Sequence, residues 1–401
     1  MGNRITVIGG GFAGLTAAIT AAEAGAEVTL HEAHRTLGGR ARTAEGPYRT
    51  NEGPHALYHR GPHWAWLRQR GLLGPMAAVP PLEAARFRFH LDGELRRTPP
   101  LSLLRQARRK AEDAPVDGDF AGWSTSRAAT NYASVALFHH DPGSLSARFV
   151  QERLRRATAL PPEAHYPLGG WGQVIERMAA RARNLGVRVE TSARVDTLPD
   201  RDGPVIVATS LEAARRLLDD PGLTWPSGRT VLVDLALRAR RGDPFIISDL
   251  DAPGWLERFT AQDPSLAPAG QSLLQGQFPI APHQSKADGV AHAERLLDQG
   301  FPGWRDRTLW RREALANGRT GAVDLPGTTW RHRPAVDRGD GVYLAGDQVA
   351  APGVLTEVSF TSAIDAASLA LQNLKNVKSV TNVKDQRPRR GTDTPLDLKH
   401  A

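Results

Sequence analysis

The chain has 401 residues, a formal net charge of +8 and a pI near 10.1. It contains no cysteine, which excludes disulfides, thiolate catalysis and cysteine-bound metals. A chain of this length buries a large core, and the usual size of a domain predicts about two domains. No apolar run approaches the ~20 residues of a membrane-spanning helix, so we expect a cytoplasmic protein.

The first thirty-two residues predict a strand, a helix and a second strand around a glycine-rich turn. Residues 5–8 are a short apolar strand, 15–24 an alanine-rich helix, and 27–31 the second strand, which ends at Glu32. The turn at 9–14 reads Gly-Gly-Gly-Phe-Ala-Gly. A strand, a glycine-rich turn, a helix and an acidic residue in this order are typical of a dinucleotide-binding unit.

Each part of the turn has a physical role in this interpretation. Gly9 makes the tight turn, Gly11 lets the backbone approach a pyrophosphate, and Gly14 lets the helix pack closely on the strand. The free N–H groups and the positive dipole end of the helix favour phosphate, and Glu32 accepts hydrogen bonds from ribose. An alanine- and glycine-rich helical hairpin is the alternative, and it would not need Glu32. The neighbouring residues predicted to contact the cofactor are Phe12, Ala13 and Ala33.

The loop after the second strand narrows the choice of dinucleotide. It contains Gly38-Gly39-Arg40, which a protein that binds only a nicotinamide cofactor does not need there. This stretch resembles the Gly-Gly-Arg signature of the flavoprotein superfamily that includes phytoene desaturases, flavin amine oxidases and protoporphyrinogen oxidase. The resemblance implies that both glycines lie against FAD and that Arg40 supports its pyrophosphate. A surface turn after Glu32 is the alternative.

Two internal segments resemble the same superfamily in the same order. Residues 51–57, Asn-Glu-Gly-Pro-His-Ala-Leu, are similar to a segment that passes near the flavin ring. Residues 166–172 precede a predicted helix and strand and then Val195. The resemblance implies that the chain re-enters the FAD domain here and that the backbone of Val195 meets the adenine.

The last matching segment is a strand that ends in Gly346-Asp347, followed by a helix from about Thr356. The resemblance implies that Gly346 and Asp347 lie against the pyrophosphate and ribityl chain, and that the helix start points at the flavin. The match is closest to the phytoene-desaturase-like branch, because the Gly-Pro-His turn and residues 263–268 are similar to segments of that branch.

These motifs predict an α/β fold with a discontinuous, Rossmann-like FAD-binding domain and an α+β substrate domain with a helical cap. A hairpin at 86–96, helical pattern over 100–160 and a strand at 231–237 fit the substrate domain. The predicted FAD domain comprises 1–78, 166–215 and 336–375, the substrate domain comprises 79–165 with the cap and 216–335, and 376–401 is a polar, basic, flexible tail.

The candidate catalytic residues are His55 and Glu357. His55 is either an acid/base group or a structural hydrogen-bonder of its turn. Glu357 lies near the flavin if the resemblance holds; otherwise it complements the helix dipole. Candidate pocket walls are Tyr58, Trp171 and Trp330, although most tryptophans serve in packing. The remaining histidines show no metal-ligand spacing, so we expect no metal.

A flavin accepts a hydride at N5, so the sequence predicts an FAD-dependent desaturase, dehydrogenase or oxidase acting on an organic, apolar or secondary-metabolite substrate. Flavin amine oxidases resemble one another in a lysine linked through water to N5. Between residues 216 and 335 this chain has only Lys286, within a polar loop, which disfavours amine oxidation without excluding it. A flavin-dependent isomerase and a non-redox binding protein are further alternatives.

The basic charge does not predict nucleic-acid binding, because no motif typical of nucleic-acid recognition accompanies it. We expect a small molecule as the partner. Residues 101–112 set leucines among arginines, which predicts either an amphipathic helix on a membrane surface or a cap helix with a solvated basic face.

Overall fold

The structure is a computed structural model that describes residues 3–53, 56–199 and 203–385. The strands are β1 Arg4–Ile8, β2 Glu27–His31, β3 Leu57–Tyr58, β4 Met76–Ala78, β5 Arg88–Leu91, β6 Glu94–Arg96, β7 Ala164–Pro167, β8 Arg188–Glu190, β9 Val205–Val207, β10 Ser227–Arg238, β11 Ile246–Asp249, β12 Gly254–Arg258, β13 Gln271–Pro279, β14 Thr308–Ala322 and β15 Val342–Leu344. The helices are α1 Phe12–Glu23, α2 Pro62–Gln69, α3 Pro81–Ala84, α4 Leu101–Arg108, α5 Phe120–Trp123, α6 Arg127–Tyr132, α7 Ser134–Leu137, α8 Ala147–Ala157, α9 Gly172–Asn184, α10 Leu211–Leu217, α11 Lys286–Gly300, α12 Trp304–Arg307 and α13 Thr356–Asp385.

Five strands form a parallel sheet in the order β15-β9-β1-β2-β8. The central strand β1 is buried on both faces, because Ile5 and Val7 point to one side and Ile8 to the other. Helices α1, α9 and α13 pack around this sheet, and we call the unit the parallel-sheet domain. This is the predicted Rossmann-like arrangement.

The strands of this sheet come from distant parts of the chain. β1 and β2 belong to residues 1–78, β8 and β9 to 166–215, and β15 to 336–375. The last helix, α13, continues to Asp385, and residues 386–401 of the predicted tail lie outside the described residues.

A seven-stranded sheet in the order β14-β10-β13-β12-β11-β5-β6 forms the second unit. Its neighbouring strands are antiparallel except for β5 and β11, which run parallel. Helix α11 covers one face, where Val231, Leu274 and Leu296 share a core. The predicted hairpin is confirmed: β5 and β6 are joined by Asp92 and Gly93, both with positive φ.

Helices α4 to α8 form the cap, and their core also includes Phe89 and Leu250 of the second unit. In α4, Leu103 is buried in that core, whereas Leu101 is 68% exposed. The apolar face of α4 is therefore largely used inside the protein, as expected for a cap helix. Among the described residues, no helix combines the length and the apolar character needed to cross a membrane.

A short antiparallel sheet, β3-β7-β4, lies where the chain leaves and re-enters the parallel-sheet domain. Tyr166 of β7 packs on Phe259 and Leu273 of the second unit. This contact joins the two units through a small apolar cluster.

Candidate cofactor and substrate site

In the glycine-rich turn between β1 and α1, Gly14 and Gly11 are glycines for different physical reasons. A Cβ atom on Gly14 would lie 1.8 Å from the carbonyl oxygen of Gly9, so packing inside the protein requires glycine. Gly11 has an ordinary extended backbone (φ −76°), and a Cβ atom there would meet only the Gly38 oxygen, at 3.9 Å. Since no atom of the described residues comes close enough to require glycine at position 11, the open space beside it fits the close approach of a ligand.

Glu32 is buried at the end of β2, as the dinucleotide interpretation requires. One carboxylate oxygen accepts the Gly10 N–H at 2.7 Å, and the other accepts the His34 N–H at 2.9 Å. Ala33, between Glu32 and His34 in the sequence, is exposed. The Ala193 N–H donates to the Glu32 carbonyl at 2.9 Å, which brings the loop containing Val195 beside the same edge.

The Gly38-Gly39-Arg40 loop packs directly against the first turn. Gly38 and Gly39 have positive φ, and Gly38 pairs with Gly11 through a β-bridge. The Arg40 guanidinium lies 2.6 Å from the Asp347 carboxylate and donates to the carbonyl of Arg319. The negative charge of Asp347 raises the pKa of Arg40. The structure thus brings the first and last predicted cofactor segments together.

The start of α13 lies beside this junction. The Gly346 N–H donates to Ser362 at 2.9 Å, and Leu355, immediately before Thr356, has a φ of +54° that is unusual for leucine. Glu357 is buried: it accepts the Val354 N–H at 3.0 Å and pairs with Arg156 at 2.7 Å. These contacts agree with the alternative in which Glu357 complements the helix start.

Arg156 also brings Tyr58 near Glu357. Its guanidinium lies 5.3 Å from the centre of the Tyr58 ring, and burial raises the pKa of Tyr58 to about 12. Tyr58 is therefore a neutral phenol, whose hydroxyl is a hydrogen-bond donor at this end of the site.

The other predicted site residues are dispersed. Trp171 is fully buried in the core of the parallel-sheet domain and packs edge-on against Phe12 at 5.8 Å, so the proposed pocket does not include it. Trp330 lies in a short 3₁₀ helix, stacked with Arg331 at 4.3 Å. His55 lies outside the described residues. Lys286 is not in a loop but starts α11, paired with Glu313 at 3.2 Å.

A small cavity of about 10 Å³ adjoins Asp347 and Leu355. The cap contributes the almost fully buried Arg153, which donates to the Gly353 carbonyl at 3.2 Å. Burial lowers the pKa of Arg153 to about 10, so it remains a cation at neutral pH. The cavity therefore joins the cap to the start of α13.

Sequence reasoning missed two buried titratable groups. Glu257 of β12 is 7% exposed, and burial raises its pKa to about 7. His63 of α2 is buried near Glu357, and burial lowers its pKa to about 4. A glutamate within the otherwise apolar Trp255-Leu256 stretch is the only sequence signal that points to either residue.

A cluster of histidine and aspartate side chains connects β5 with the end of β11 in the second unit. His90, Asp249 and Asp251 place one potential metal-ligand atom each within 4.8 Å of one another. The Asp249 oxygen that accepts from His90 at 2.9 Å also accepts the Asp251 N–H, and His292 bonds its other oxygen at 2.7 Å. These hydrogen bonds give the group a structural role in joining β5, β11 and α11.

Comparison with known proteins agrees with this architecture. A family model described as an NAD(P)-binding Rossmann-like domain matches residues 7–71. No curated protein sequence is significantly similar to the chain. An oxidoreductase from Methanosarcina mazei superposes with a TM-score of 0.72 at 18% identity, over 91% of this chain and 100% of its own.

Two amine oxidases have similar structures. Cyclohexylamine oxidase from Brevibacterium oxydans superposes with a TM-score of 0.71 at 17% identity, over 93% of this chain and 99% of its own. A putrescine oxidase redesigned in its cofactor binding gives a TM-score of 0.68 at 15% identity, over 93% of this chain and 99% of its own. At these identities the similarity establishes a shared fold.

Proposed function

We propose that the protein is an FAD-dependent oxidoreductase acting on a small organic molecule. The observation that carries the proposal is the open space at Gly11, bordered by Gly38-Gly39 and by the Arg40–Asp347 pair. A pyrophosphate needs space next to the backbone and a positive charge beside it. Gly11 provides the space, and Arg40 provides the charge. The structural similarity to oxidoreductases supports the same proposal.

In this proposal the parallel-sheet domain holds FAD along one edge. Glu32 would bind the adenosine ribose and the backbone near Val195 the adenine. Gly11 and Arg40 would hold the pyrophosphate, and Asp347 the ribityl chain. When bound, FAD accepts a hydride from the substrate. The start of α13 would direct its positive dipole end toward the flavin.

The preferred reaction is desaturation, dehydrogenation or oxidation of an organic substrate. Amine oxidation is the second candidate, because two similar structures are amine oxidases. Lys286 does not contribute to it, since it is tied to Glu313 at the start of α11. An isomerase and a non-redox binding protein are the further alternatives, and the first experiment separates the binding protein from the proposal.

The test is the visible spectrum of the purified protein, followed by anaerobic reduction and timed reoxidation in air. A yellow protein reoxidised within seconds would identify an oxidase and would bring amines and alcohols forward as substrates. Slow reoxidation would favour a dehydrogenase or desaturase with another acceptor. A colourless protein that does not take up added FAD would overturn the proposal.

A further inference from the structure

A line of polar side chains crosses the seven-stranded sheet. In the strand register, Asp234 of β10 lies opposite Arg312 of β14 and Gln275 of β13, and Gln275 lies opposite Glu257 of β12. Directly opposed residues point to the same face of a sheet. Arg312 and Gln275 each donate to the Asp234 carboxylate at 2.7 Å. We call these four residues the polar row.

The polar row faces the short sheet β3-β7-β4 and not α11. Leu274 packs in the core beneath α11, whereas Leu273, on the same face of β13 as the row, packs with Tyr166 of β7. At one end of the row, Arg312 donates to the carbonyl of Asn51 at 3.3 Å. Asn51 begins the segment expected near the flavin ring. The polar row therefore extends from the expected ring position across the seven-stranded sheet.

Near the Glu257 end of the row, two glutamine amide oxygens have no hydrogen-bond donor among the described residues. Gln262 donates to Glu257 at 2.9 Å, but its own amide oxygen has no partner among the described residues. The amide oxygen of Gln275 is likewise unpartnered within the described part of the chain. Both side chains are more than nine-tenths buried. A buried acceptor left unpaired costs about 1–3 kcal/mol, which favours a bound group that donates hydrogen bonds.

Three phenols from other elements lie near this end of the row. Tyr166 of β7 lies within hydrogen-bonding reach of Glu257, and Tyr58 of β3 and Tyr132 of α6 are close enough to interact electrostatically with the same cluster. Burial raises the pKa of Glu257 to about 7 and the pKa of Tyr58 to about 12. Glu257 therefore changes its charge near neutral pH.

We propose that the Glu257 end of the polar row binds a hydrogen-bond-donating group of the substrate, a protonated amine or a hydroxyl. The glutamine oxygens and the Glu257 carboxyl form the acceptor set. This inference rests on the proposed function, because it assigns the substrate class of the same oxidoreductase. It adds polar contacts to the substrate site, whereas the sequence predicts an apolar or secondary-metabolite substrate.

The test compares three ring compounds of similar shape: cyclohexylamine, cyclohexanol and methylcyclohexane. Their binding is measured by calorimetry on the FAD-loaded protein, kept reduced and anaerobic so that no probe is oxidised. An amine prefers ionised Glu257, so its affinity should rise between about pH 6 and about pH 8. A hydroxyl ligand should bind with little dependence on pH. Either pattern supports the proposal and identifies the donor.

Glu257→Gln and Gln275→Leu should each weaken binding of the preferred donor by about tenfold to a hundredfold. Gln277→Leu is the matched control, because Gln277 lies two residues beyond Gln275 on the same face of β13 and outside the polar row. It should leave affinity unchanged. If methylcyclohexane binds as well as the two donors, if neither donor binds, or if the control matches the row variants, the proposal is wrong.

The flavin content of the same samples keeps this test separate from the proposed function. Yellow protein that discriminates against both donors overturns the substrate class and leaves the oxidoreductase proposal intact. Colourless protein that still binds a donor through Glu257 retains the polar site and overturns FAD binding.

Discussion

Arg40 and Asp347 are 307 positions apart in the sequence, yet their charged groups lie 2.6 Å apart. The pair joins the loop after β2 to the loop after β15, immediately beside Gly11 and Gly38. Arg40 is therefore held at the edge of the proposed pyrophosphate site before any ligand arrives. Such preorganisation reduces the ordering cost of binding.

Exchanging the two charges separates folding from cofactor binding. Arg40→Asp with Asp347→Arg should restore the ion pair and keep the free energy of unfolding within about 1 kcal/mol of the wild-type value, since the pair is partly exposed. The double variant should nevertheless lose FAD, because a carboxylate replaces the cation at position 40. Denaturant unfolding and flavin absorbance measure both effects. A yellow double variant would contradict the role of Arg40.

Gly11→Ala should remove the cofactor without unfolding the protein. Its new methyl group would meet no atom of the described residues closer than 3.9 Å, but it would fill the space proposed for the pyrophosphate. Gly14→Ala is the structural control: its methyl group would lie 1.8 Å from the Gly9 oxygen and should destabilise the fold itself. The melting temperature of cofactor-free protein and FAD affinity distinguish the two. Retention of normal FAD affinity by Gly11→Ala would remove the main support for the site.

Glu257 should make the protein less stable as pH rises. Its folded-state pKa is raised from 4.5 to about 7, so the unfolded chain ionises first and stability falls across that interval by about 3 kcal/mol. Glu257→Gln should abolish this fall and be the more stable protein at pH 8, by an amount that vanishes near pH 4. Urea unfolding across the pH range measures the difference. A parallel pH profile for variant and wild type would disprove the raised pKa.

His63 should make the protein less stable as pH falls, the opposite of the effect of Glu257. Burial lowers its pKa from 6.5 to about 4, so stability is retained above pH 6.5 and falls by about 3 kcal/mol as pH decreases toward 4. His63→Phe keeps an aromatic ring beside Phe360 and should flatten the acid limb of the stability profile. The exposed His332 provides a control, as His332→Phe should leave that limb unchanged. The same steepness in all three proteins would refute the assignment.

Glu357→Gln decides between a catalytic and a capping role. If Glu357 only caps the helix, the variant should lose about 1.5–3 kcal/mol of stability, because a buried carboxylate loses its charge-assisted hydrogen bond to Arg156, which keeps its ion pair with Glu163. Flavin reduction by an active substrate, measured per bound FAD in folded protein, should change little. A stable variant with strongly slowed reduction would instead place Glu357 in the chemistry.

The βαβ unit and the hairpin could be predicted because their requirements are local. Gly14 must be glycine because a helix touches the neighbouring turn, and Asp92-Gly93 supplies the positive φ values of a two-residue turn. Such constraints act on consecutive residues and therefore appear directly in the sequence. The parallel sheet follows from them, since short apolar strands joined by helices pair in this way.

The sequence alone determined a Rossmann-like α/β protein without cysteine chemistry and the positions of its glycine turns. Only the tertiary structure decided that Trp171 is a core residue, that Lys286 begins a helix, and that Arg40 meets Asp347. It alone also aligned the polar row, whose members come from four strands. Side-chain burial, pairing and pKa depend on strand register and on packing between distant segments, and neither is encoded in the spacing of neighbouring residues.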